Sequence, residues 1–85
     1  MEKRELTIED LKNYANDLIA LYNRKYPKQR ISAIDPASQV GIFEIGATVG
    51  AMAGKLGMHM GQSYGINDLS IKMGEIKRKL EKETW

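Results

Sequence analysis

The sequence predicts an all-α fold of three helices, at about residues 7–26, 36–64 and 67–83, within a single domain 1–85. Three observations carry this reading. Apolar residues recur at spacings of three and four, caps and prolines fall between the periodic segments, and glycine recurs on one face of the central segment.

The first helix opens at Thr7-Ile8-Glu9-Asp10, which has the form of a capping box with acids where the helix dipole favours them. Ile8, Leu11, Ala15, Leu18 and Tyr22 follow as one apolar stripe, widened by Ile19 and Tyr26, while Lys12, Asn16 and Asn23 lie off it. Pro27 ends the helix at or before Tyr26, because a proline pushes the residue before it out of the helical region. In the connection 27–35, Ile31 and Ile34 are the expected anchors to the core.

Asp35-Pro36 reads as the N-cap and first residue of the central helix. Gly46, Gly50, Gly54, Gly57, Gly61 and Gly65 then recur every three or four residues, which places them on one helical face. Beside them Ile42, Ile45, Val49, Met52 and Leu56 make a seam of coiled-coil spacing. Only Glu44, Thr48, Lys55, His59 and Gln62 form a polar stripe, and a helix apolar nearly all round is a buried one. Glycines at 46, 50, 54, 57 and 61 inside a helix cost on the order of 4–5 kcal/mol relative to alanine. Close approach of a second helix offsets such a cost, as small-residue faces do between membrane helices. Two further helices cover only two sides of this rod, so a homo-oligomer interface is expected at Gly46, Gly50, Gly54, Gly57, Gly61, Ile45, Val49, Met52 and Leu56. The alternative ends the helix near Gly54 and makes 54–65 a loop.

Gly65 has the position of a C′ glycine and Asn67 that of the next N-cap. The third helix carries Leu69, Met73, Ile76 and Leu80 on one face, with Glu75 and Lys79 as a favourable i, i+4 pair on its surface.

Composition narrows the chemistry. There is no Cys and a single His, so disulfides and a cysteine zinc site are excluded and neither metal nor cofactor is expected. A domain this small then gains stability most readily from a partner subunit. The charged N-terminal residues lead into an amphipathic segment, not an apolar one, and the uncharged stretch from Ile45 to Gly54 is too short to span a bilayer. A cytoplasmic protein without a membrane partner is expected. The net charge is only +2, yet residues 18–34 hold Arg24, Lys25, Lys28 and Arg30 and no acid.

Catalytic chemistry finds little to work with. His59 and Ser63 stand one helical turn apart, but Glu44 lies too far along the same stripe to orient that imidazole, so an enzyme is not expected. Gly50 to Lys55 falls one residue short of a P-loop spacing and is followed by Leu56 where a hydroxyl is required. Arg24, Lys25, Tyr26, Lys28 and Arg30 are the better anion candidates, with Tyr26 available to stack on a base. Lys55, His59, Gln62, Ser63 and Tyr64 are the expected lining of a polar pocket between subunits. The leading expectation is a non-catalytic, homo-oligomeric binding protein that occupies a partner protein as an inhibitor or adaptor. A sponge for a phosphorylated small molecule such as a nucleotide comes second, and a nucleic-acid-binding helical dimer third.

Overall fold

The computed structural model describes residues 6–58 and 65–82, and among these the chain is helical with no strand. Helix α1 spans Ile8–Lys25, α2 Ile42–Lys55 and α3 Ile66–Lys82. The expected three-helix, all-α class is therefore observed. Each helix packs against the other two.

Helix α1 begins as the sequence predicts. The Thr7 Oγ1 accepts the Asp10 N–H at 3.1 Å while the Asp10 carboxylate accepts the Thr7 N–H at 3.0 Å, so two otherwise orphaned donors are satisfied reciprocally. The helix stops at Lys25, with Tyr26 as C-cap before Pro27. Its buried stripe of Leu11, Ala15, Leu18, Ile19 and Tyr22 meets Ile45, Val49, Met52, Ala53 and Leu56 of α2 and Leu69, Met73, Ile76 and Leu80 of α3 in one core. Burial also pushes the Tyr22 phenol above its ordinary pKa, because the charged phenolate loses its water.

The central helix departs from its expected bounds at both ends. Asp35-Pro36 does not start it: the Asp35 carboxylate accepts the Ala37 N–H at 2.9 Å and the Asp35 carbonyl accepts the Ser38 N–H at 3.0 Å, which closes a turn instead. The helix begins six residues later, with Gly41 as N-cap and the Glu44 carboxylate reaching back to the Gly41 N–H at 3.1 Å. An aspartate before a proline serves a turn as well as a helix start, and the sequence signal does not separate the two.

At the other end the continuous helix to residue 64 is overturned. The Met58 N–H donates to the Ala53 carbonyl at 2.8 Å and the Gly57 N–H to the Gly54 carbonyl at 3.1 Å, the two bonds of a Schellman cap. Gly57 has φ +74°, the left-handed conformation that such a cap requires. Gly57 is thus the C′ glycine of α2, a role the sequence reading gave to Gly65. Gly65 instead precedes α3, where its carbonyl accepts the Leu69 N–H at 3.1 Å, and Asn67 falls inside the helix. With only Gly46, Gly50 and Gly54 left inside α2, the glycine penalty falls to about 3 kcal/mol.

Helix α3 buries the four residues expected of it. On its surface Glu75 meets Lys72 at 3.0 Å, a neighbour the sequence reading passed over in favour of Lys79.

Candidate functional site

Two surfaces stand out: the flank of α1 where the connection lies against it, and the outer side of α2.

Residues 31–38 run back along α1 as a strap held almost wholly through backbone atoms. Asn23 Nδ2 donates to the Ile31 carbonyl at 2.9 Å while Asn23 Oδ1 accepts the Ile31 N–H at 2.8 Å. Asn16 repeats the arrangement on Ile34, with both bonds at 2.8 Å. Lys12 completes the row, its Nζ donating to the carbonyls of Pro36 at 2.8 Å and Ser38 at 2.9 Å and meeting Glu9 at 3.2 Å. The ammonium has three donors and all three are used.

The spacing follows from helix and strand geometry. Asn16 and Asn23 are seven residues apart, about 10 Å along a helix. Ile31 and Ile34 are three residues apart, also about 10 Å in an extended chain. The same match holds for the shorter step from Asn16 to Lys12 against Ile34 to Pro36. A helix can therefore grip an extended segment at successive points only with this register. Ile31 and Ile34 are half-buried against the core, as expected. Sequence reasoning set Lys12, Asn16 and Asn23 aside as off the apolar stripe. Three asparagines inside a helix, where their propensity is poor, were the available signal of a tertiary role, which two of them, Asn16 and Asn23, fill.

The strap divides the expected anion cluster. Arg24, Lys28 and Arg30 are exposed. Lys25 is half-buried with its Nζ withdrawn from solvent, and the Tyr26 ring lies 4.9 Å from that of Tyr22, packed on the core. Neither Lys25 nor Tyr26 stands free on the surface as an open stacking platform requires. Arg24 and Arg30 both line a groove of about 390 Å³ between α1 and the strap, with Ile19, Ala20 and Ala33 as its apolar lining. Lys28 lies apart from them, on a separate depression of about 300 Å³ formed by the turn 25–29. Lys55 is exposed in the last turn of α2 and does not line the arginine groove. His59, Gly61, Gln62, Ser63 and Tyr64 lie outside the described residues, so the expected polar pocket has no geometry here.

Helix α2 has three sectors. Ile45, Val49, Met52, Ala53 and Leu56 face inward, the first four with no exposed surface. Four members of the expected oligomer interface, Ile45, Val49, Met52 and Leu56, are thus committed to the chain's own core. Glu44, Thr48 and Lys55 make a narrow polar sector. The remainder, roughly 140° of the circumference at 3.6 residues per turn, carries Phe43, Gly46, Ala47, Gly50, Ala51 and Gly54. Phe43 is 75% exposed, the most exposed large apolar side chain among the described residues. A Cβ built at Gly46 or Gly54 meets nothing within 4 Å.

Among the described residues no three His, Cys, Asp or Glu side chains are grouped to hold a metal ion, and no helix is long and apolar enough to cross a membrane. Comparison of the chain with family models, with curated proteins and with solved structures returned no match.

Proposed function

We propose that this chain is a non-catalytic, cytoplasmic protein-binding module that associates with copies of itself through the outer face of α2 and acts by occupying a partner protein. One observation carries the reading. The inner face of α2 is satisfied by the chain's own core, yet its outer face is also apolar, with Phe43 three-quarters exposed beside Gly46 and Gly54, where an added Cβ would meet nothing within 4 Å. Contiguous exposed apolar surface is a recurrent feature of interaction sites, and Phe43 gives this face a large side chain to insert. Three interior glycines also cost the isolated helix about 3 kcal/mol, which close approach of another helix offsets.

The face is short, about 21 Å for fourteen residues. At a helix width of roughly 10 Å the face offers on the order of 200 Å², below the ~800 Å² per partner of a standard interface, so association should be concentration-dependent and not obligate. A photoreactive phenylalanine analogue at position 43, activated in the native cell, tests the proposal. Adducts with a second copy and with one other polypeptide, both lost when Gly50→Leu fills the face, are the expected result. Illumination that yields only the lone chain sinks the reading.

A further inference from the structure

We propose that Arg24 and Arg30 form a two-arginine clamp for the phosphate of a small phosphate monoester, seated in the groove between α1 and the strap. This inference stands independently of the α2 interface.

The clamp follows from the strap. Asn23 and Ile31 are tied by two hydrogen bonds, and Arg24 and Arg30 are their immediate chain neighbours. The backbone tie therefore brings together the two chain segments that carry these side chains, although they are six residues apart in sequence. Both open onto the same groove. Neither guanidinium has an acid partner among the described residues, and no acid lines the groove. Two like charges on one groove without a counter-ion repel each other, and a dianion placed between them removes that repulsion while accepting from both forks.

The rest of the groove suits an organic phosphate better than inorganic phosphate alone. Ala20, Ala33 and Ile19 give it an apolar lining, and about 390 Å³ falls within the range of small-molecule sites. Asn16 and Asn23 each give one amide N–H to the strap backbone and keep a second, so they add neutral donors beside the two guanidinium groups. An anion bridging Arg24 to Arg30 also fastens the strap to α1, which couples binding to stability.

The test uses the full chain with adenosine monophosphate, inorganic phosphate and a single-stranded oligonucleotide as probes, followed by amide chemical shifts and melting temperature. Saturable shifts at Ala20, Asn23 and Ala33 with the monophosphate are expected, together with a raised melting temperature. Arg24→Gln and Arg30→Gln should each weaken that binding about 10-fold or more, the worth of one charge-assisted contact. Both arginines are exposed, so the variants should keep the unliganded melting temperature, and Lys28→Gln should change affinity less than about 2-fold. No saturable shift at about 10 mM of either phosphate would overturn the proposal, since a site weaker than that contributes under ~3 kcal/mol. Equal loss in Lys28→Gln, or oligonucleotide binding that collapses with salt and outcompetes the monophosphate, would overturn it too, because both mean a diffuse basic surface and not a clamp.

Discussion

Replacing Asn16 with alanine should be among the most damaging surface changes in this chain. The side chain makes two bonds of 2.8 Å to the backbone of Ile34, one as donor and one as acceptor. Each such bond contributes about 0.5–1.5 kcal/mol net, and their loss leaves a half-buried N–H and C=O without protein partners. Water reaches part of this site, which limits the penalty, so a loss of about 2 kcal/mol is expected. For a domain of this size that lowers the melting temperature by roughly 8–16 °C. Asn23→Ala should cost a similar amount through Ile31. The double variant should cost less than the sum, because a strap already released at one point gives the second asparagine less to hold. Urea unfolding followed by circular dichroism measures all three. Asn13→Ala, at an exposed site on the same helix, is the control and should be neutral or slightly stabilising. If Asn16→Ala and Asn23→Ala both fall within about 0.5 kcal/mol of the parent, the strap is not held by these bonds and the register argument is wrong.

Three further changes test other parts of the account. Gly57→Ala forces an alanine into a left-handed conformation and should cost about 1–2 kcal/mol in a urea melt, where an unchanged midpoint would deny the Schellman cap. Gly46→Ala has open space for its methyl group, so it should raise the melting temperature of dilute protein by the equivalent of about 1 kcal/mol. The same methyl should weaken association at high concentration, and a gain that is independent of concentration would argue that the face is unpartnered. Tyr22 binds its proton more tightly in the folded chain than in the unfolded one. Its contribution is therefore complete below about pH 10 and is lost as pH rises through and above that value. Stability measured from pH 9 to 11 (about the ordinary range of a phenol) should fall less steeply in Tyr22→Phe than in the parent.

The helices were legible because they rest on local signals. The capping box at Thr7, the stop at Pro27 and the apolar row of α3 depend on residues three or four apart, and each appears where the sequence places it. The ends of α2 were harder for physical reasons. Asp35-Pro36 satisfies the requirements of a turn and of a helix start, and only the tertiary demand for an extended strap decides between them. Glycine is ambiguous in the same way. Gly54 and Gly57 sit in one periodic pattern, yet one has helical neighbours on both sides and the other has a positive φ that ends the helix. The anchoring of Ile31 and Ile34 was legible, but the grip on the strap was not: Asn16 and Asn23 read backbone atoms, and backbone atoms leave no mark on the sequence of the segment they hold. Of the anion cluster, Tyr26 falls on the apolar stripe by periodicity, and that placement beside Tyr22 is the one observed. The pairing of Arg24 with Arg30 needed the fold.

The central claim is that α2 is covered on its outer face by a second copy, and native mass spectrometry from about 1 to 100 µM tests it most directly across the range of a transient interface. The account predicts species at multiples of the 9.6 kDa chain that grow with concentration and vanish in Phe43→Glu, with helicity retained. A single 9.6 kDa species throughout, unchanged by Phe43→Glu, would contradict it.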